Sequence, residues 1–187
     1  MSRMRHALRR HPESNCFAAT RIDVDVARPS VGNLGLSYVV HGNIGELRLP
    51  ALTASARGDE LWRHTCFEAF VGTSAGAVYY EFNFAPSTRW AAYRFGTYRG
   101  GMRVAMEIGA PTIDLRSEPD RCTLQVSLSM DELSALPRDV GWRLGLAAIT
   151  EDRRGGRSYW ALAHPPGRPD FHHFDCFALE FSPQQGA

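Results

Sequence analysis

The alternation of side chains in residues 60–95 most constrains what this chain can fold into. The stretch reads ELWRHTCFEAFVGTSAGAVYYEFNFAPSTRWAAYRF. Near its start, Cys66, Glu68 and Phe70 alternate with Phe67 and Ala69. Successive side chains of a β-strand point to opposite faces, so a period of two indicates a strand. Since large apolar groups occur in both sets, we predict a central strand covered on both faces.

The second strand of this stretch repeats the pattern. Tyr80 and Phe82 point one way, whereas Tyr79, Glu81 and Asn83 point the other. A short glycine-containing link separates this strand from the first, which predicts that the two pair as a hairpin. We expect both strands to lie in the middle of a sheet.

Glu68 and Glu81 conflict with that prediction, because a buried carboxylate is costly unless a partner compensates its charge. Two interpretations remain open. The carboxylates belong to a functional site, or each forms a structural pair with an arginine. The same two residues also allow an enzyme, because glycoside hydrolysis uses two carboxyl groups about 5–10 Å apart. The sequence has no G-x-S-x-G elbow, H-E-x-x-H motif or glycine-rich phosphate loop, so we favour binding over catalysis.

Alternating segments of the same kind recur along the chain, with turns every 8–12 residues. Only residues 131–136 look helical. This pattern predicts an all-β fold, an antiparallel β-sandwich of jelly-roll type with about ten strands. The predicted strands cover residues 22–26, 34–40, 45–50, 64–71, 78–85, 89–95, 102–108, 122–130, 142–148, 158–163 and 177–181.

The first fifteen residues, MSRMRHALRRHPESN, are basic and precede the first predicted strand. We interpret residues 1–15 as an N-terminal tail that can be disordered, and residues 16–187 as one domain. A chain of 187 residues is long enough to bury a single core.

The composition limits the classes of partner that the chain can bind. The 21 basic side chains, all arginine, and 20 acidic ones give a net charge of +1. That balance provides no overall field for nucleic acid or an anionic membrane, and no apolar run approaches the ~20 residues of a membrane span. The basic N-terminus lacks the pattern of a secretory signal. We therefore expect a cytoplasmic protein in which the four cysteines are reduced thiols.

A histidine-rich loop near the C-terminus, AHPPGRPDFHHFD, is a weak candidate for a divalent metal site. His172 and His173 have carboxylates nearby, and His64 could join them in three dimensions. The alternative is a proline-stiffened surface loop in which these histidines hold strand ends. We expect no cofactor as the simplest case.

Four segments resemble a group of bacterial DOMON-like proteins, which are related to the family-nine carbohydrate-binding modules of xylanases. The segments are LWRHTCFEAFVG, YYEFNFAPSTRWAAYRF, GWRLGLAAITED and SYWALAHPPGRPDFHHFDCFAL. The resemblance covers residues 34–181. It implies a β-sandwich and a small ligand, a glycan end, held between aromatic rings. The identity of the sugar and the oligomeric state stay open.

The resemblance also implies which residues bind the ligand. In the carbohydrate modules two Trp rings clamp a sugar, and carboxylate, guanidinium and amide groups bind its hydroxyls. Trp62 and Trp160 correspond to the rings, and Glu68 and Arg89 to the carboxylate and guanidinium. The remaining predicted ligand-binding residues are Glu81 and Asn83.

The haem-binding branch of the DOMON group uses an axial Met and His, and protein-interaction modules of this type are a further alternative. The haem candidates in this sequence are Met102, Met106, Met130, His164, His172 and His173. The methionines also fit core packing, because they alternate along predicted strands.

Overall fold

The computed structural model describes residues 3–27, 32–74, 76–137 and 139–181, and its secondary structure is almost entirely β. Short 3-10 turns interrupt the described chain at Ile44–Glu46, Leu61–Arg63 and Phe174–Cys176. The strands are β1 (Arg3–Arg10), β2 (Ala19–Ala27), β3 (Asn33–Gly42), β4 (Cys66–Thr73), β5 (Tyr79–Phe84), β6 (Trp90–Phe95), β7 (Arg103–Val104), β8 (Thr112–Ser117), β9 (Arg121–Ser129), β10 (Trp142–Glu151), β11 (Arg157–Ala161) and β12 (Leu179–Phe181).

All twelve strands join one antiparallel sheet in the order β7-β6-β5-β4-β10-β11-β1-β2-β3-β9-β8, with β12 beside β10. Strand β1 connects the two halves of this sheet. Its residues 3–8 pair with β2, whereas Arg9 and Arg10 pair with β11. The sheet curls at β1, so its halves form the two layers of a sandwich. The predicted all-β antiparallel sandwich is confirmed, and the described residues form twelve strands where about ten were expected.

The main core lies between the two halves. Tyr38 of β3 packs against Phe67 of β4, with 5.1 Å between the ring centroids. The Tyr38 hydroxyl also donates a hydrogen bond of 2.7 Å to the backbone carbonyl of Glu68. Both contacts cross from one half to the other, so they hold the layers face to face.

A second, smaller apolar cluster occupies the opposite face of the β4–β5–β6–β10–β11 half. The segment of residues 162–178 covers it. Every residue of β4 and β5 is therefore buried, which confirms that these strands are central. The cluster consists of Phe70, Tyr79, Ala91, Tyr93, Phe95, Ala147, Ile149, Ala161, Phe171, Cys176 and Phe177.

The N-terminal segment differs from expectation. Residues 3–10, which we expected in a basic tail, form strand β1. Leu8 is 5% exposed and belongs to the main core, whereas Met4 is 52% exposed. Arg5 reaches Asp25 on β2 with two hydrogen bonds of 2.8 and 2.9 Å. A strand with one solvent-facing side tolerates arginine there, so the density of arginine in this segment misled the prediction.

Other local predictions also fail. Residues 45–50 form no strand, because the chain makes a 3-10 turn at Ile44–Glu46 and a single bridge between Leu47 and Asp152. Residues 131–136 form turns instead of a helix, and the strand predicted at 102–108 shrinks to Arg103–Val104. In each case one or two apolar side chains anchor a loop to the core. Over so short a stretch this produces the same spacing as a regular element.

The four cysteines are free and buried, in agreement with the expectation of reduced thiols. Within the described residues no helix has both the length and the apolar character needed to cross a membrane.

Candidate functional site

A cavity of about 320 Å³ opens on the outer face of the β4–β5 hairpin, beneath the segment of residues 162–178. Aromatic rings and carboxyl groups line it together. The lining residues are Trp62, Glu68, Glu81, Phe95, Arg99, Met102, Ile149, Tyr159, Pro169, Phe171 and His172.

The two glutamates come from adjacent strands and share one face of the sheet. In the register of β4 and β5, Glu68 lies opposite Asn83 and Glu81 lies opposite Phe70. Residues opposite each other share a face, and so do residues two apart on one strand. Glu68 and Glu81 are therefore diagonal neighbours on the face that the cavity opens to.

Both carboxyl groups are deeply buried and incompletely bonded. Glu68 is 3% exposed and Glu81 is 5% exposed. Oε1 of Glu81 accepts a 2.7 Å hydrogen bond from the Asn83 side-chain amide. Oε1 of Glu68 is buried without a hydrogen-bond partner among the described residues. An unused buried acceptor is uncommon in a folded protein and points to a ligand donor.

Burial shifts the pKa of both acids upward. Burial raises the pKa of Glu68 well above its usual range, the charge of Glu81 adds to the rise, and Arg99 partly offsets it. Burial also raises the pKa of Glu81 to about 7, against the hydrogen bond from Asn83 and the charge of Arg99. Both shifts favour the protonated form of the acid over what an exposed carboxyl group would show, and Glu81 is close to its midpoint at neutral pH.

His172 lines the cavity and forms a hydrogen bond through Nδ1. The Arg99 backbone N–H donates to the Tyr79 hydroxyl at 3.1 Å, and that hydroxyl lies 2.8 Å from Nδ1 of His172. The Nε2 atom lies 3.6 Å from Oε2 of Glu81. We assign the ring hydrogen to Nε2 because this atom faces a carboxyl oxygen, which accepts, and the Tyr79 hydroxyl then donates to Nδ1.

The contact between His172 and Glu81 is not an ion pair at neutral pH. Burial lowers the pKa of His172 to about 4; the charge of Arg99 adds to this effect, and Asp170 opposes it. The imidazole is therefore neutral. It offers the cavity an N–H donor rather than a positive charge.

Arg99 lies in the turn between β6 and β7, with a left-handed φ of 51°. Its guanidinium contacts Asp170 at 2.7 Å through Nη2 and at 3.1 Å through Nε. Asp170 also accepts a hydrogen bond from the Tyr98 hydroxyl and one of 3.1 Å from the His172 backbone N–H. This network ties the turn to the covering segment and neutralises the guanidinium.

Trp62 forms one wall of the cavity from the short 3-10 turn that precedes β4. Its half-buried ring meets Tyr93 edge to face, with 5.7 Å between centroids. The Tyr93 hydroxyl donates a 2.6 Å hydrogen bond to Asp59, which holds this turn against β6. Tyr93 therefore supports the ring, and the ring stays partly exposed, as stacking on a ligand requires.

The structure brings together only part of the predicted site. Trp62, Glu68 and Glu81 line the cavity, and Asn83 is fully buried behind Glu81. Trp160 does not line it, because it points to the opposite face of β11 and belongs to the main core at 3% exposure. Its neighbour on the strand, Tyr159, lines the cavity instead.

Arg89 is also absent from the lining. It precedes β6, and its guanidinium donates a 3.1 Å hydrogen bond to the backbone carbonyl of Arg57. The guanidinium that lines the cavity is that of Arg99, ten positions later in the chain. The aromatic strand β6 separates the two, so they lie near its opposite ends.

The weak metal candidates do not converge. Nδ1 of His64 lies 2.7 Å from Oε2 of Glu151, and Nδ1 of His173 lies 3.5 Å from Oδ2 of Asp175. Within the described ranges no group of three or more His, Cys, Asp or Glu side chains is arranged to hold a metal ion. Of the haem candidates, Met102 and His172 line the cavity.

Sequence reasoning missed several lining residues. Tyr159 alternates with Trp160, and Phe95 alternates with Arg94, so choosing the correct strand face would have found both. Phe171 and Arg99 lie in loops, where no periodicity applies. The glycines on either side of the TYR segment were the available signal for a tight turn at Arg99.

Two shallower depressions adjoin the cavity. One shares Tyr159 and Pro169 with it and extends toward Arg157, and the other shares Arg99 and Pro169 and extends toward His173. The cavity therefore continues into open grooves on two sides.

Three solved structures align with this chain over most of its length. A protein from Bacteroides uniformis ATCC 8492, inferred to bind carbohydrate, superposes with a TM-score of 0.63 at 14% sequence identity, over 90% of this chain and 81% of that one. A family 9 carbohydrate-binding module from Caldicellulosiruptor kristjanssonii in complex with cellotriose has a TM-score of 0.49 at 13% identity, over 88% of this chain and 74% of that one. The same kind of module with glucose has a TM-score of 0.44 at 13% identity, over 79% and 69%.

The likeness to the Bacteroides protein is one of fold. No model of a known protein family and no curated protein matches the sequence.

Proposed function

We propose that this chain is a carbohydrate-binding module whose cavity on the β4–β5 hairpin holds one saccharide unit. The observation that carries this proposal is the composition of one cavity. Aromatic rings from Trp62, Phe95 and Tyr159 stand beside the buried carboxyl groups of Glu68 and Glu81. Saccharides present apolar C–H faces and a periphery of hydroxyls, and a lining of this kind matches both.

The polar groups of the cavity include both a hydrogen-bond acceptor and a hydrogen-bond donor. Oε1 of Glu68 is a free acceptor, and Nε2–H of His172 is a donor beside Oε2 of Glu81. A hydroxyl group both donates and accepts, so it can bridge such a pair. A cavity of about 320 Å³ lies at the lower end of the range for small-molecule sites, about 300–1,000 Å³.

The fold and the grooves fit this ligand class. The Bacteroides protein of the same fold is inferred to bind carbohydrate, and we extend that class of ligand to this chain because the cavity suits it. The adjoining depressions leave room for further units. We therefore infer binding at the end of a glycan, with the terminal unit in the cavity.

The test is a binding screen on wild type and Trp62→Ala, using thermal shift and calorimetry with mono- and disaccharides. Stacking one ring face covers ~100 Å² of apolar surface, worth about 2–3 kcal/mol. We expect millimolar to micromolar affinity for a sugar and a loss of about ten- to a hundredfold in Trp62→Ala. Phe17→Ala is the matched control, because Phe17 is an aromatic residue 64% exposed outside the cavity.

Two outcomes contradict the proposal: no saccharide protects the wild type, or Trp62→Ala binds with unchanged affinity. A melting temperature of Trp62→Ala close to that of wild type shows that lost binding reflects the ring and not unfolding.

A glycoside hydrolase is the second candidate, because the cavity holds two carboxyl groups with raised pKa. General acid catalysis needs a carboxyl group that stays protonated near neutral pH, and the raised pKa of such a group favours this state. Sugar release from an oligosaccharide, lost in both Glu68→Gln and Glu81→Gln, would favour this reading. Saturable binding without any product supports the binding module.

A further inference from the structure

The floor of the cavity is acidic and has no matching cation. Glu68 and Glu81 form no ion pair with arginine among the described residues. The guanidinium in the lining, that of Arg99, is bonded twice to Asp170. The imidazole of His172 contributes an N–H group and no charge.

The floor of the cavity also offers hydrogen-bond acceptors that lack donors. Among the described residues, Oε1 of Glu68 has no donor, and the one charged or polar contact of Oε2 of Glu81 is Nε2 of His172 at 3.6 Å, which is beyond hydrogen-bond length. An ammonium group carries three donors and no acceptor. It therefore matches two under-used carboxyl oxygens better than a hydroxyl does, since a hydroxyl has only one donor.

The walls also favour a cation. Trp62, Phe95, Tyr159 and Phe171 surround the floor with aromatic rings. The faces of such rings attract positive charge, and more strongly where water is displaced. Aliphatic lining groups would only remove water from a charge and so disfavour it, whereas these rings add to the effect of the carboxyl groups.

We propose that the saccharide held by this module carries a free, protonated amino group, which the carboxyl pair Glu68 and Glu81 binds. This inference rests on the proposed function and specifies its ligand as an amino sugar. Glu81, with Oε1 held by Asn83, provides the anionic partner, and Glu68 accepts through its free oxygen.

The protonation of the two carboxyl groups is compatible with this role. Burial raises the pKa of Glu81 to about 7 and that of Glu68 well above its usual range, so Glu81 can supply one negative charge near neutral pH. An approaching ammonium favours that ionised form. Arg157 and Arg168 lie in the adjoining groove outside the lining, where solvent screens their charge.

The experiment compares matched sugars by calorimetry at pH 7 on the full chain. The sets are glucose, glucosamine and N-acetylglucosamine, then galactose, galactosamine and N-acetylgalactosamine, with 6-amino-6-deoxyglucose added. In at least one set we expect the amine to bind about tenfold or more tighter than the hydroxyl and acetamide forms. In Glu68→Gln and Glu81→Gln that preference should fall to about threefold or less. Glu46→Gln, an exposed residue outside the cavity, should keep it.

The outcomes separate the two claims. If hydroxyl sugars bind as tightly as their amines, the amino-sugar inference fails and the carbohydrate-binding proposal stands. If no saccharide binds, both fail. An amine preference that persists in both Gln variants also overturns the inference, because the amine would then be bound elsewhere. The wild-type comparison decides the question even if a variant does not fold.

Discussion

At the residue scale, the molecule keeps two carboxyl groups where an apolar side chain would be more stable. Glu68 and Glu81 are central in the sheet and buried, and neither forms an ion pair with an arginine in the part of the chain that the structure describes. Burial of such groups costs stability because their charged form loses water. Their position beside aromatic rings in one cavity accords with the binding role that we propose.

The pH dependence of folding stability should reveal the raised pKa of Glu81. Its pKa is about 7 in the folded protein, above the ordinary value of 4.5. As pH rises from about 4.5 to 7, the unfolded chain loses this proton first, so folding stability falls by up to about 3 kcal/mol. Glu81→Gln removes that titration. Its stability relative to wild type should therefore increase as pH rises across this window, as measured by urea unfolding.

His172 titrates in the opposite sense, since its lowered pKa removes stability as pH falls from about 6.5 to 4. That contribution is present in both proteins and cancels in the comparison. Glu46→Gln, a substitution at an exposed position outside the cavity, serves as the control. A difference between wild type and Glu81→Gln that is the same at pH 4.5 and 7.5 would show that Glu81 titrates normally.

At the element scale, β1 connects the two layers. It pairs with β2 over six residues and with β11 over two, so it closes the sheet between the halves. Without it, both β2 and β11 would expose an unpaired edge. The segment is therefore part of the fold, although its composition is that of a basic tail.

Leu8 and Met4 test this role on the same strand. Leu8→Ala removes a side chain that is 5% exposed and should cost about 2–5 kcal/mol. Met4 is 52% exposed, and Met4→Ala should change stability by no more than about 0.5 kcal/mol. Chemical denaturation of both variants provides the comparison. If residues 3–10 were a free tail, the two variants would be equally stable.

At the scale of the whole molecule, the thiols report on global unfolding. All four cysteines are buried, and they come from widely separated parts of the chain. Burial raises the pKa of Cys122 to about 11 and that of Cys176 to about 12, so at pH 8 neither is present as the reactive thiolate to a useful extent.

We expect a thiol reagent at pH 8 to modify the native protein slowly and to titrate four thiols after denaturation without reductant. The rate on the native protein should follow the unfolding rate measured by circular dichroism. Fast modification of one or more thiols in the native state, or fewer than four after denaturation, would contradict this packing.

The sequence by itself determined the β-sandwich and the central position of β4 and β5. The family resemblance, rather than the spacing, associated Trp62 with Glu68, and both line one cavity with Glu81. A period of two is a local property, so it can be read without knowing what packs on each face. Only the tertiary structure decided which face of β11 meets the cavity, and hence that Tyr159 lines it and Trp160 does not. It also decided that Arg99 supplies the guanidinium and that Arg3–Arg10 is a strand. These features depend on contacts between residues far apart in the chain, such as Arg99 with Asp170 and Arg5 with Asp25, and local spacing carries no information about such contacts.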